Sequence, residues 1–237
     1  MSLMQIEITD FVSGARSARG LVVVIDVFRA FSLAAHAYAR GVAAMIPVAS
    51  IDDALELKRR HPDWLALGER HARPLPGFDG GNSPSDLERI DVRGRTVIHT
   101  THAGTQGLTG AVCADEVIAG ALVTAGAIVR YIRMRSPTVV TLVRMGHEAK
   151  ERCVEDDVCA ELIAGRLHGG APDVGGMLER LRRAPSARKF FDPACDWAPE
   201  RDFELCTQVD AFDFVLLRDD RGSSPVLRRV DAPSENL

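Results

Sequence analysis

Leu21-Val22-Val23-Val24-Ile25-Asp26-Val27 is the stretch that decides the fold. It is a near-continuous apolar run, rich in Val and Ile, with one carboxylate near its end. A strand apolar on both faces must be covered on both faces, as a central strand of a parallel sheet is. The chain on its C-terminal side agrees. Phe31–Arg40 has helical composition and is closed by Gly41, and Val42–Val48 reads as a second strand. Ile51–Arg60 reads as a helix with Ser50 as N-cap. Leu65–Leu67 is a short strand, and Glu69–Pro84 is a loop dense in Gly and Pro.

The pattern then returns. Arg95–His99 predicts a strand, Gly104–Ala114 a helix and Glu116–Gly120 a strand. Ala121–Met134 predicts a helix ending before Ser136-Pro137. Val139–Val143 predicts a strand, and Asp156–Leu167 a helix closed by Gly169-Gly170. Residues 42–48 match 114–120 at a shift of about 72, which also lays the loop after Ile25 over the loop after Ile98. The expected fold is therefore an α/β layered sandwich with a mostly parallel or mixed central sheet and a possible internal βαβ duplication. In such folds ligands gather beyond the C-terminal ends of the strands. One domain is expected, with the motifs in residues 20–170 and a C-terminal part in 171–221. In that part Met177–Arg183 is helical, Phe190–Pro199 irregular and Phe214–Leu217 an edge strand. Residues 222–237, polar and rich in Ser and Pro, are expected to be a flexible tail. With a second Met at position 4, Met1–Leu3 are expected to be an added, non-native stretch.

Composition narrows the function. The 237 residues carry 29 Lys+Arg against 33 Asp+Glu, a net charge of −4, with 5% aromatics. A basic phosphate-binding stripe and base-stacking platforms are both missing, so no nucleic-acid partner is expected. No segment approaches the roughly 18 apolar residues of a membrane span. The five cysteines form no CxxC and read as reduced thiols of a cytoplasmic protein.

Several motifs fail. His147-Glu148 opens like HExxH, but position 151 is Glu. Cys195 and Arg201 have the spacing of a thiol phosphatase, yet Pro199 and two carboxylates stand where an anion needs backbone N–H groups. Phe28 breaks an Asp-x-Asp pair after Asp26, and no GxxxxGK[ST], GxGxxG or GxSxG occurs.

Four loops survive. Asp26 and Arg29 after the buried strand form either a structural ion pair or a metal carboxylate beside an anion clamp. Gly77–Pro84 is either a surface turn or a loop bringing N–H groups to an anion. Thr100–Thr105, between strand and helix, offers hydroxyls and N–H groups that suit phosphate or that simply cap the helix. Glu155-Asp156-Asp157 complements a helix dipole or supplies hard oxygens to Mg²⁺. Glu69 is a further isolated candidate, while His99 and His102 read as local loop residues rather than metal ligands.

Taken in order, IDVFRA at 25–30, GE at 68–69, GFDGGNSP at 77–84, TTHAGT at 100–105, EDD at 155–157 and FELCTQVDAFDFV at 203–215 resemble the 2-phosphosulfolactate phosphatase family, associated with coenzyme M biosynthesis. The resemblance spans about Leu21 to Leu217. It implies an α/β homo-oligomer, expected as a dimer, that uses Mg²⁺ to release phosphate from 2-phospho-3-sulfolactate. It implies Asp26, Arg29 and Glu69 as catalytic residues and Asp26, Glu155 and Asp156 as metal ligands. Arg29, Ser32, Asp79, Asn82, Ser83, Thr101, Gly104 and Thr105 are the implied contacts to the small phosphate or sulfonate substrate. Phe31, Leu33, Gly80, His102, Ala103 and the loop at Arg144-Met145-Gly146 depart from the family pattern. The alternative is an altered member that binds an anion without turnover. Replacing Arg29 is expected to remove most activity while the fold survives.

Overall fold

The run at residues 21–25 is buried at every position, and the architecture is built outward from it. The structure is a computed structural model describing residues 4–222 and 224–234, so Met1–Leu3 lie outside the described residues. In chain order the elements are β1 (Gln5–Asp10), α1 (Phe11–Ser17), β2 (Leu21–Ile25), α2 (Ala30–Ala39), β3 (Ala44–Pro47), α3 (Ile51–Arg60) and β4 (Leu65–Arg70). They continue with β5 (Arg73–Pro74), β6 (Thr96–Thr100), α4 (Gly104–Gly110), β7 (Glu116–Gly120), α5 (Ala125–Arg135) and β8 (Val139–Arg144). The last are α6 (Val154–Leu167), α7 (Val174–Arg182), α8 (Glu200–Cys206), β9 (Phe214–Asp219) and β10 (Val226–Asp231), with short 3₁₀ turns at 84–88, 122–124 and 185–190. Ser50 caps α3 as expected, its hydroxyl accepting from Asp53 N.

The strands form one mixed sheet in the order β1-β8-β2-β7-β9-β10-β3-β6-β4-β5. The α/β reading therefore holds, and so does the duplication, in a particular form. The first copy runs β2-α2-β3-α3-β4 and the second β6-α4-β7-α5-β8. Each copy's first strand is flanked by the other copy's later strands: β2 pairs in parallel with β7 and β8, and β6 with β3 and β4. The two copies have exchanged strands within one chain. The antiparallel hairpin β9–β10 sits between the halves, joined to β7 on one side and β3 on the other.

Two expectations are corrected here. Phe214–Leu217 is not an edge strand but part of β9, next to the centre of the sheet. Residues 226–231 of the expected tail form β10, which is held in full register by β9; residues 235–237 lie outside the described residues. Arg228 and Arg229 are exposed, while Leu227 between β9 and β3 is buried and pairs with Met45.

Alternation along β2 sorts the core. Val22 and Val24 join α1, α2 and α4 in one cluster, while Leu21, Val23 and Ile25 join α5, α6 and α7 in another. α3 covers the far half through Ile46, Ala66 and Ile98. α2 is buried from Ala30 through Tyr38, the pattern of a helix enclosed on all sides rather than lying on a surface. α2 and α4 share one core cluster, and the helix starts after β2 and β6 come within hydrogen-bond reach of a single side chain.

Candidate active site

Asp26 follows the last residue of β2, and both its oxygens are held by helix starts. Oδ1 accepts from Ala30 N at 3.2 Å and Oδ2 from Gly104 N at 2.9 Å. One carboxylate thus satisfies N-terminal amides of both crossover helices, α2 and α4, amides that would otherwise lack partners. Gly104 permits it: a Cβ there would stand 2.8 Å from Asp26 Oδ2 and 3.0 Å from the Ala30 Cβ.

Three more buried carboxylates converge on this point. Asp156, in the first turn of α6, accepts from Val27 N at 2.9 Å and Gly146 N at 2.8 Å. Glu69, near the end of β4, accepts from His102 N and Ala72 N, each at 2.7 Å. Glu155 accepts from the Ser186 hydroxyl. All four are buried, and among the described residues none forms an ion pair with a cation. Burial pushes Asp26 up to about 7, with the Glu69 and Glu155 charges adding to the rise. Burial first, then repulsion from Asp26 and Glu155, holds Asp156 well above the usual carboxylate range.

These carboxylates line a cavity of about 450 Å³. Arg152 and Lys189 line it too, as do His71, His102 and Glu148. Arg152 is paired with Asp157 at 2.9 Å. Lys189 has no ion-pair partner among the described residues and rests against the Phe190 ring at 5.1 Å. Burial, then the Arg29 charge, lowers its pKa, opposed by Glu155 and Asp26.

The expected site residues divide in two. Asp26, Arg29, Glu69, Asn82, Glu155 and Asp156 line this one cavity. Arg29 is not paired with Asp26, however. Its guanidinium is buried against Asp202 at 2.6 Å and also donates to Trp197 O and Ala72 O. Two of its five N–H donors remain, so a clamp role is reduced to those two.

The other expected contacts are turned away from the cavity, each for a local reason. The Ser32 hydroxyl donates to Val27 O. Asp79 accepts from Ala66 N and pairs with Lys58, closing the 77–84 loop against β4. Ser83 donates to Asp202. Thr101 and Thr105 bond each other reciprocally at the start of α4, which is the capping alternative. Gly104 contributes its N–H to Asp26 and is otherwise covered.

Lys189 and Ser186 escaped sequence reading because they sit in a 3₁₀ turn without a motif. Asp26, Glu155 and Asp156 all line the cavity, but their donor atoms do not all lie within 4.8 Å of one another. Among the described residues, the donor atoms within 4.8 Å of one another are those of His71, His102 and Glu148. His71 Nδ1 lies 2.5 Å from Glu148 Oε1, and the His71 and His102 rings meet edge-on at 5.1 Å.

A family model described as 2-phosphosulpholactate phosphatase matches residues 7–221. A protein of Bacillus subtilis (strain 168) named probable 2-phosphosulfolactate phosphatase is 28% identical over 211 residues, covering 88% of this chain and 91% of its own. A protein of the same name from Thermotoga maritima is 32% identical over 205 residues, covering 81% and 86%. One from Caldanaerobacter subterraneus subsp. tengcongensis is 38% identical over 131 residues, 54% of each chain.

Proposed function

Because the chain belongs to the 2-phosphosulfolactate phosphatase family, we propose that it is a Mg²⁺-dependent phosphoric monoester hydrolase that converts 2-phospho-3-sulfolactate to 3-sulfolactate. The observation that carries the reading is the cavity floor: four buried carboxylates with no cationic partner among the described residues. Such a set of hard oxygens, two of them with pKa values raised by burial and mutual repulsion, is chemically suited to a small divalent cation.

Asp26, Glu155 and Asp156 would hold Mg²⁺, which when bound supplies neutralising charge to phosphoryl oxygens. The chain's own residues account for the rest. Lys189 places an unpaired ammonium in the cavity, where an anionic oxygen can take it as a partner. Arg29 lines the same cavity with two N–H donors left to offer. Burial and the Glu69 and Glu155 charges push Asp26 up to about 7, so a dication held there would relieve the repulsion and keep the carboxylate ionised. Glu69 fixes the His102 and Ala72 amides and so shapes the rim.

Among the described residues no helix is long and apolar enough to cross a membrane, and the five cysteines are unpaired, the free thiols that support a cytoplasmic reading; a place in coenzyme M biosynthesis rests on the family resemblance. The homodimer part of the reading rests on the family resemblance and is tested by sedimentation.

The deciding assay is phosphate release from racemic 2-phospho-3-sulfolactate and a panel of 2-phospho acids, with Mg²⁺ and with EDTA. EDTA-sensitive turnover with preference for the sulfonate is expected. Turnover unaffected by EDTA would overturn the metal requirement. Thermal stabilisation by the sulfonate without turnover would favour an anion-binding protein.

A further inference from the structure

The three-residue cluster at the cavity rim has a chemistry different from the floor. His71 follows β4, His102 follows β6 and Glu148 follows β8, so each ligand comes from a separate loop. Their donor atoms lie within 4.8 Å of one another. Two imidazoles and a carboxylate suit a borderline first-row dication, whereas Mg²⁺ prefers oxygen ligands. We infer that His71, His102 and Glu148 form a binding site for a transition-metal dication of the Zn²⁺ class, separate from the carboxylate floor and opening onto the same cavity.

The local geometry fits. Tetrahedral Zn²⁺ with bonds of about 2.0–2.2 Å holds its donors about 3.3 Å apart. The His71 Nδ1 to Glu148 Oε1 distance is already 2.5 Å, so the remaining adjustment is on the order of an ångström. His71 is 72% exposed and free to make it. The Nδ1 of His102 is buried and has no hydrogen-bond partner, an arrangement that costs free energy until a partner arrives. Against the ion stand Lys150, whose ammonium lies 3.7 Å from Glu148 Oε2, and the His71–Glu148 contact itself. The first is long and exposed, and the second places a proton where the metal would sit. With three protein ligands, one coordination position remains, as in open metal sites. All three residues line the cavity, so that position is available to an anionic oxygen bound there.

No motif announces the site, because its parts are distant in sequence. His147-Glu148 fails as HExxH, yet its Glu meets two histidines brought from other strands.

The test reads metal directly and does not depend on turnover. EDTA-treated protein, refilled with excess Mg²⁺ to occupy the oxygen floor, is titrated with Co²⁺ and followed by its visible d–d absorption, with Zn²⁺ as competitor. One equivalent with the bands of a low-coordinate site is expected. Removal of even an outer partner costs about 10–100-fold in metal affinity, so His71→Ala, His102→Ala and Glu148→Gln should each weaken binding by about 100-fold or more. Asp156→Asn should leave the Co²⁺ spectrum in place. In the unsubstituted protein, Zn²⁺ should move the imidazole nitrogen resonances of His71 and His102 among the seven histidines. This measurement keeps the test open should a variant fail to fold. Absence of Co²⁺ binding, affinity within about threefold in both histidine variants, or unmoved His71 and His102 resonances would each overturn the proposal. A protein with no phosphatase activity that still binds Co²⁺ through these residues would retain this site and lose only the proposed function.

Discussion

Replacing Arg29 by Met should unfold the site as well as empty it. Arg29 and Asp202 are 2% and 0% exposed and 2.6 Å apart. Removing the guanidinium leaves Asp202 with two neutral donors, the Ser83 hydroxyl at 2.8 Å and Ser85 N at 3.0 Å. It also leaves the Trp197 and Ala72 carbonyls without their donor. Breaking a buried pair from one side costs about 3–5 kcal/mol, a large share of the roughly 5–15 kcal/mol that holds a domain together. For a chain of this size that lowers Tm by about 6–20 °C. Urea denaturation of wild type, Arg29→Met, Asp202→Asn and the double variant measures it, with midpoints compared at unchanged m. Asparagine keeps an acceptor for Ser83 and Ser85 while removing the orphaned charge, so the cycle should show a coupling of at least about 1.5 kcal/mol. A single-variant cost below about 1 kcal/mol, the value for solvent-screened pairs, would refute the reasoning. The double variant also separates scaffold from chemistry. If its kcat/KM stays within about tenfold of wild type, a difference of about 1.4 kcal/mol, Arg29 does not touch the substrate. The Arg29–Asp202 pair adds a structural role at position 29 to the expected catalytic one, and the cycle separates the two.

Three further outcomes are expected. Lys189→Met should lower kcat/KM by about 10–150-fold, the worth of a charge-assisted hydrogen bond of about 1.5–3 kcal/mol, with the circular dichroism unchanged. Gly104→Ala forces a methyl against Asp26 Oδ2 and Phe31; it should cost about 1–3 kcal/mol by overpacking and reduce turnover, both read on one preparation. Burial pushes His99 down to about 4, so the folded protein binds that proton less tightly than the unfolded chain does. The associated stability is intact above about pH 6.5 and is lost as pH falls toward 4, amounting to about 3 kcal/mol. His99→Gln should remove this slope, seen in urea midpoints as a wild-type-minus-variant difference, in which the opposite trend from Asp26 cancels.

The fold was legible where burial acts on composition. Leu21–Ile25 is apolar at each position because both faces are covered, and Ser50 announces α3 because its hydroxyl is needed by Asp53 N. β1 was missed: it is an outer strand, and its alternating Gln5–Asp10 is mostly exposed or half-buried. β9 and β10 read as an edge and a tail because the apolar run Phe214–Leu217 is only four residues long and residues 222–237 are polar and rich in Ser and Pro. Arg218 reaches back to the carbonyls of Leu108 and Ala111, so a charged residue near the sheet centre is satisfied in a way no local pattern reveals. At the site, sequence identified the loops but not the direction of each side chain. Asp26, Glu69, Glu155 and Asp156 line the cavity, while Asp79 closes its own loop and Ser32, Thr101 and Thr105 bond nearby backbone. His71 carried no signal and Glu148 only a failed motif, since only tertiary structure puts them in contact.

The exchange of strands between the two copies has a consequence for how the polypeptide is made. When the first copy has left the ribosome, β2 has neither of its neighbours, because β7 and β8 are not yet synthesised. The two strands at the middle of the sheet, β9 and β10, are made after all the others. Nearly every pairing is therefore long in sequence, the arrangement that slows folding and leaves unpaired strand edges waiting. An emerging chain would hold its most aggregation-prone segment, the valine run at 21–25, without partners until β7 is made at residues 116–120. Expression at low temperature, or with a holding chaperone, should raise the soluble yield more for this topology than for a sheet of the same size assembled hairpin by hairpin.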